Sequence, residues 1–441
     1  MITRLRAQNF KSWKDTGDLR LARLTGLFGT NSSGKTSLLQ ILPLLKQTAE
    51  FPDRNRVLYT GKDDSPVYLG TLPEIIYGHQ ADGALGFVIT WPEKELLFDS
   101  PDRVFDELHP LKEITFRTSV VWWFGKPTVD FFRYDLGGEW IGMRRLNLPE
   151  ESYELAHEGK KLESHKLTEQ RHHRFLASPV KCYGFPPGAG IYFKDVLFPQ
   201  ALQLAFESLL GKVHYLGPIR SYPLRFYEWG GEKPLDSGWD GDQAIASILA
   251  YKTVSRVAEW LKQMDLVHSF RLQPVGDTST IPTIYQCYVK TAPNATEVLL
   301  PDVGFGVSQI LPVLANCATL PEDATLLLEQ PEIHLHPFAQ AALADVLIDA
   351  VKHRNIQIIV ESHSEHLLRR IQRRIAEEEF AAEDAALYFC HIENGASEAD
   401  ELELDAYGYI KNWPKNFFGD EMEEVAKMTI AAAERRKASR Q

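Results

Sequence analysis

An apolar run from Leu19 to Phe28 leads directly into Gly29-Thr30-Asn31-Ser32-Ser33-Gly34-Lys35-Thr36, after which Ser37-Leu38-Leu39-Gln40-Ile41-Leu42 takes up helical apolar spacing. A strand that passes into a helix through so tight a glycine turn constrains the fold more than any other feature of the chain, because it fixes two elements and the geometry between them. The glycines let backbone N–H groups close round a phosphate, and the start of the helix adds its partial positive charge. Lys35 would reach the β- and γ-oxygens of a nucleotide, while the Thr36 hydroxyl would hold Mg²⁺. The expected phosphate cradle is Gly29, Asn31, Ser32, Ser33, Gly34, Lys35, Thr36 and Ser37, with ATP and Mg²⁺ as its ligands.

Three later segments carry the chemistry to complete such a site. Thr325-Leu326-Leu327-Leu328-Glu329-Gln330-Pro331-Glu332 is an apolar strand ending in acids, which brings a carboxylate beside Mg²⁺. Asp302-Val303-Gly304-Phe305-Gly306-Val307-Ser308-Gln309 is a glycine-rich turn that places Ser308 at a helix N-terminus, where anions bind well. The apolar strand Ile356 to Val360 runs into Glu361-Ser362-His363-Ser364, which puts His363 just past a strand end, on the same sheet edge as Glu329.

The last third alternates regularly: a helix from Val307, strand Thr325–Leu328, helix Phe338–Val351, strand Ile356–Val360, helix Ser364–Ala376 and strand Ala386–Ile392. Such alternation predicts a mainly parallel sheet covered by helices. The pattern is β-rich from about 85 to 135. Glu151 to Arg174 predicts an exposed helix or helical hairpin, and Phe193–Leu210 and Asp242–Met264 predict amphipathic helices. Short strands are expected near 268–274, 283–289 and 297–300.

At 441 residues the chain should hold two or three folded units. Its 48 basic and 60 acidic residues leave −12, which argues against a uniformly positive surface that grips DNA by bulk electrostatics. Cys182, Cys287, Cys317 and Cys390 are too scattered for a disulfide framework or a zinc ribbon. No apolar run approaches the ~20 residues that span a bilayer, and no signal-peptide core is recognisable, so a cytoplasmic protein without membrane contact is expected.

The phosphate loop, the Gly-Ser turn, the acidic strand end and the strand-end histidine, in this order, resemble the ATP-binding-cassette (ABC) class of P-loop ATPases. The likeness is to the soluble branch that includes the SMC-type chromosome proteins and the OLD-family ATPases, over roughly 1–90 and 210–400. It implies an α/β P-loop NTPase fold, an ABC-type ATPase head whose mixed sheet is flanked by helices, with an inserted α+β subdomain. The implied division is a discontinuous nucleotide-binding domain over 1–99 and 211–392, a partner- or trigger-binding insert at 100–210 and a C-terminal module at 393–441. In that class the signature of one subunit closes over ATP held by the other. The resemblance therefore implies that Gly304, Gly306, Ser308 and Gln309 contact nucleotide in trans, within a homodimer or higher homo-oligomer.

By the same resemblance His363 matches the switch histidine that senses the γ-phosphate, and Glu329 falls on the Mg²⁺-side acid. Gln330 falls where a Glu normally polarises the attacking water. Gln cannot accept that proton, although it can orient water, which leaves Glu332 or Glu361 as candidate bases and implies slow hydrolysis. Ala406-Tyr407-Gly408-Tyr409-Ile410 through Trp413-Pro414 and Asn416-Phe417-Phe418, together with Glu329 to Pro337, looks like a set of ATPases of prokaryotic anti-phage defence operons. That narrower likeness implies an ATPase that senses a trigger and controls a separate effector, a nuclease from the same operon. A DNA-repair or recombination ATPase acting directly on nucleic acid is the alternative.

Several clusters admit rival readings. His334-Leu335-His336 and Glu361-x-His363-x-Glu365-His366 have spacings that bind zinc or manganese, although positions flanking a γ-phosphate account for both. Many OLD-family ATPases carry a C-terminal toprim nuclease, and the stretch after the last expected strand is short for one. Asp240-Gly241-Asp242 is expected to be a helix N-cap rather than a metal pair. Arg369, Arg370, Arg373 and Arg374, the tail cluster Arg435, Arg436, Lys437 and Arg440, and Arg171-His172-His173-Arg174 are each either a solvated face or a stripe for nucleic-acid phosphates. Arg220 is either a contact near nucleotide or across a dimer, or a structural ion pair.

Overall fold

The computed structural model describes residues 1–80, 83–92, 113–146, 151–158, 176–192, 198–276, 281–414, 417–418 and 427–432. Its first part holds β1 (Arg4–Phe10), β2 (Trp13–Asp15), β3 (Leu19–Arg20), β4 (Leu24–Gly29), α1 (Lys35–Glu50) and α2 (Leu72–Ile75). Next come β5 (Ala84–Trp91), β6 (Ile114–Trp123), β7 (Lys126–Asp135), β8 (Trp140–Arg145), β9 (Tyr153–Glu158) and α3 (Phe198–Gly211). The chain continues through β10 (Val213–Leu216), β11 (Tyr227–Trp229), α4 (Ala244–Ala250), α5 (Val254–Gln263), β12 (Ser269–Val275), β13 (Thr283–Lys290) and β14 (Val298–Leu299). The last third is α6 (Phe305–Thr319), β15 (Thr325–Glu329), α7 (Pro337–Arg354), β16 (Gln357–Glu361), α8 (Glu365–Ala376), β17 (Ala385–Glu393) and β18 (Ala396–Glu401).

Every residue of β4, β15 and β16 is buried, as expected of strands covered on both faces. They belong to one sheet of order β10-β15-β16-β4-β17-β18, in which the first five strands are parallel and β18 turns back antiparallel. The reversal is made by Asn394 and Gly395, both at positive φ, the backbone a two-residue hairpin requires. Side chains alternate across this sheet. Leu327 and Ile359 enter one hydrophobic core with α1, α3 and the β1–β9 strands, whereas Leu326, Leu328, Ile358 and Val360 enter a second core with α4 to α8. The catalytic-type strand ends are thus clamped from both sides.

The first core is roofed by a twisted antiparallel sheet of order β2-β1-β5-β6-β7-β8-β9, with β3 pairing β1. A third sheet, β11-β13-β12 with β14 on β13, flanks the helical side.

β5 and β6 are hydrogen-bonded neighbours from Ala84↔Val121 to Trp91↔Ile114, so strands on either side of 99/100 share one sheet. β17 runs to Glu393, and β18 pairs with it at the edge of the central sheet. Two expectations are corrected. Residues 153–158, expected to be helical, form β9, because Tyr153 and its neighbours complete a ladder on β8; 159–175, with Arg171 to Arg174, lie outside the described residues. The helix expected over 242–264 is two, since Lys252 adopts a left-handed conformation (φ 56°) and the Thr253 N–H bonds the Ile248 carbonyl, which closes α4 before α5 begins. The basic tail Arg435 to Arg440 is also outside the described residues.

Candidate nucleotide site

β4 ends at Gly29, whose φ of 137° and whose contact with the Cys390 carbonyl, 1.9 Å from where a Cβ would stand, admit glycine alone. The loop then swings out through exposed Thr30, Asn31 and Ser32 and returns at Gly34 to start α1. Gly34 caps α1 without a side chain, and the first turn holds no acid, so the free N–H groups of the helix start are not pre-empted. Trp13 Nε1 donates to the Gly34 carbonyl at 3.0 Å and pins this turn to β2.

Lys35 is 3% exposed and folds back over the loop, donating to the carbonyls of Gly29 (3.2 Å) and Thr30 (2.6 Å). Burial holds its ammonium below the usual lysine range, an effect the nearby Glu361 opposes. Thr36 donates its hydroxyl to Glu361 Oε2 at 2.8 Å. The hydroxyl expected to share a Mg²⁺ ion with Glu329 therefore touches the carboxylate of the neighbouring strand. Glu329 and Glu361 are register partners at the ends of β15 and β16, and Glu329 instead accepts a 2.7 Å hydrogen bond from Tyr215 on β10.

The acids are held above the usual carboxylate range by burial. Glu329 is pushed up to about 7, with Tyr215 opposing the rise and Glu361 adding to it. Glu361 is raised by burial and by Glu332, against Thr36, Lys35 and Gln330. Glu332 is raised by burial, against the His363 N–H that its Oε1 accepts at 2.7 Å. Three buried carboxylates, of which Glu361 and Glu332 act on Lys35 and Glu361 and Glu329 each accept a hydroxyl, are hard oxygen donors suited to Mg²⁺.

Gln330 sits at a φ of 44°, with its N–H on the Glu361 carbonyl at 2.9 Å and its side chain on the Glu361 carboxylate. A residue meant to orient water is thus engaged by its neighbour. His363 lies at the surface, and burial of its ring together with the nearby Lys35 lowers its pKa, against a hydrogen bond with Gly29. P-loop, acidic strand end and histidine are accordingly brought together in one place.

The Gly-rich turn lies at the start of α6. Gly304 caps the helix, again without a side-chain cap, and Gly304 and Phe305 are exposed. Ser308 is buried and its hydroxyl donates to the Phe305 carbonyl at 2.8 Å, so the turn presents backbone at its surface rather than a free hydroxyl. A Cβ at Gly306 would meet the His334 carbonyl at 2.8 Å. Arg225 clamps Asp302 through two hydrogen bonds, and the Phe305 ring meets His334 edge-on at 5.0 Å. Gln309 is buried one position along the helix.

The rival clusters resolve into structural partners. His334 packs on Phe305, and His336 caps α7 through the Phe338 N–H. Asp240 is not a helix N-cap: it accepts from Ser221 Oγ at 2.6 Å and from the Asp242 N–H, while Gln243 precedes α4. Arg370 and Arg374 both bond Asp345, Arg369 bonds Glu365, and Arg373 bonds Glu377. Arg220 is 4% exposed, bonds two backbone carbonyls and, among the described residues, forms no ion pair within bonding distance. Tyr215 was missed by sequence reasoning, although it stands in the same short segment as Arg220.

Residues 291–369, from the third sheet through α8, match the family model described as "AAA domain, putative AbiEii toxin, Type IV TA system". The P-loop strand β4 and the acidic strand β15 flank β16 in one parallel sheet. The chain has the fold of an ABC-type P-loop ATPase. The ATPase also matches, over 381–428, the model described as "Protein of unknown function (DUF3696)". No curated protein matches it in sequence.

Among solved structures, the SMC head bound to the C-winged helix domain of ScpA is 15% identical, over 92% of the ATPase and 98% of its own chain, at a TM-score of 0.43. The SMC head domain from Thermotoga maritima is 12% identical, over 91% and 99%, at 0.41. The Smc head with an extended coiled coil bound to the C-terminal domain of ScpA from Pyrococcus furiosus is 11% identical, over 91% and 96%, at 0.43. Likenesses this loose carry no weight for site or partners, and the class rests on the sheet order, the P-loop and the matched segments. Among the described residues no helix is long and apolar enough to cross a membrane.

Proposed function

We propose that this ATPase binds and hydrolyses ATP with Mg²⁺, works as a nucleotide-gated homodimer, and couples a trigger to a separate effector, a nuclease, in defence against phage. The observation that carries the dimer is the contrast between two helix starts. The P-loop is met by Lys35, Thr36 and Glu361 of its own chain, whereas Gly304 and Phe305 stand exposed at a helix start with no side-chain cap, whose N–H groups can take a ligand held elsewhere.

In this reading Lys35 leaves the loop carbonyls to hold the β- and γ-phosphates, and the backbone N–H groups of 30–34 close round the β-phosphate. Thr36, Glu361 and Glu329 hold the Mg²⁺, which supplies charge neutralisation on the phosphates. His363 faces the γ-phosphate, and Gln330 orients the water. Glu332, raised by burial and tied to the His363 amide, is the acid placed to receive a proton.

The AbiEii-type match over 291–369 supports the defence setting, and the likeness of 329–337 and 406–418 to defence-operon ATPases supports a separate effector. The alternative of direct action on nucleic acid draws less support from the α8 stripe, since each of its arginines pairs with a carboxylate.

The test is the mass of the purified protein with and without saturating ATP and Mg²⁺. A doubling with ATP is expected, and it should be absent in Lys35→Ala. A monomer at saturating ATP overturns the gated dimer.

A further inference from the structure

Arg220 is a cation that the site does not use on any ligand. Its Nη1 donates to the carbonyl of Gln309 on α6 at 3.2 Å, and its Nη2 donates to the carbonyl of Glu329 at the end of β15 at 3.0 Å. A guanidinium is planar, so its fork fixes the separation of the two carbonyls it joins. One of those carbonyls belongs to the helix that begins with the exposed Gly304–Gly306 turn. The other belongs to the residue just before Gln330, whose N–H holds the Glu361 carbonyl.

Glu332, two residues further on, takes the His363 N–H. Among the described residues Arg220 Nε, Gln309 Nε2 and Glu332 Oε2 are each buried without a hydrogen-bond partner, and Glu332 is the carboxylate whose charge acts most on Arg220. Burial at 4% exposure pushes the guanidinium down to about 10, so keeping it charged here has a cost that two neutral carbonyls do not offset. Residues 307–319 of α6 are all buried, which makes the helix a stiff lever rather than a soft loop.

We propose that Arg220 is a positioning residue that ties each subunit's own signature helix to its own acidic strand end, so that nucleotide held by the partner and engaging the Gly304 turn sets the alignment of Gln330, Glu332 and His363 in the same subunit. The two ATP sites of a dimer then report on each other through Arg220. This inference rests on the composite dimer proposed above.

The experiment uses full-length dimers assembled from two differently tagged chains. The subunit under test keeps its P-loop, and its partner is either intact or Lys35→Ala; turnover per intact site is measured in both. With Arg220 present, the rate per site should be at least about fivefold higher beside an intact partner, the lower end of ordinary coupling. Arg220→Lys in the test subunit, whose single ammonium cannot span both carbonyls, should bring the two rates within about twofold while ATP affinity stays within about threefold.

Arg220→Gln, which removes the buried charge and keeps a donor, should do the same and serves if the lysine variant does not fold. A merely structural role would lower both rates together and leave their ratio intact, and that result overturns the proposal. Equal rates with Arg220 present overturn it as well, while leaving the dimer standing. Failure of the intact chains to pair with ATP overturns the dimer reading and the proposal with it.

Discussion

α1 and α6 begin alike and end up in opposite circumstances. Each starts at a glycine with no side-chain cap and no acid in its first turn, so each offers free N–H groups to an anion. Around the start of α1 the chain supplies Lys35, Thr36, Glu361 and the Trp13 clamp, all from its own fold. Around the start of α6 it supplies braces, Arg225 on Asp302 and His334 against Phe305, and leaves the front open. The same backbone motif thus serves as a finished receptor in one place and as half of a receptor in the other. What distinguishes them is the side-chain company each keeps.

The contrast breaks most severely if α1 is disarmed. Lys35→Ala removes the one mobile cation of the cradle and should weaken ATP binding by roughly a thousandfold or more, measured by equilibrium titration. Retained micromolar affinity would refute the assignment of the P-loop. Ser308→Arg should do the reverse, leaving ATP binding within a few-fold and lowering hydrolysis roughly a hundredfold, because a bulky cation fills the start of α6. Mixing it with Lys35→Ala chains should restore at most one working site per dimer; full turnover of Ser308→Arg alone would show that α6 takes no part.

Gln330 sharpens the picture of the finished side. Its amide supports a buried Glu361 that burial already disfavours as an anion, so Gln330→Glu replaces a donor by a like charge. Turnover should fall by about tenfold instead of rising, and steady-state kinetics showing a clear increase would mean that water activation, not carboxylate crowding, limits the rate.

The smallest effect concerns nucleotide-free stability. An ordinary glutamate titrates near 4.5, and Glu329 titrates near 7 in the fold. Below pH 4.5 both states hold the proton and nothing is lost; between about 4.5 and 7 the unfolded chain ionises first, so stability falls with rising pH. Glu329→Gln should remove that fall, worth up to about 3 kcal/mol and roughly 2–3 °C in a chain of this size. Melting curves from pH 4.5 to 8 with identical slopes for both proteins would overturn the assignment.

The parts of the fold that could be read in the sequence are those whose signals are local. A strand, eight loop residues and a helix carry their own spacing, and the alternation of the last third carries its own sheet. The parts that could not be read depend on who neighbours whom. Nothing in the sequence between Trp91 and Ile114 announces that these two residues will pair across a sheet, so the continuity of β5 with β6 is not legible there. Tyr215 reads as an ordinary strand residue until β10 is laid beside β15, and Arg220 reads equally as a nucleotide or dimer contact or as an ion-pair partner until its two carbonyls are found. The break at Lys252 was hidden because a left-handed lysine leaves no mark in apolar periodicity.

The order in which the central sheet is threaded has a consequence for biosynthesis. β4, which delivers the P-loop, is hydrogen-bonded on one side to β16 and on the other to β17, both from the last hundred residues. Even the second residue of the chain is fixed by Gln357, 355 positions later. A chain growing from the ribosome therefore carries its phosphate loop with both edges of the loop's strand unpaired until residues 357–393 have been made. Closure waits for the final strands and for Phe417 and Phe418, which meet Phe28 just before Gly29. Chains that stop short of these strands consequently lack both neighbours of β4 and a formed phosphate site.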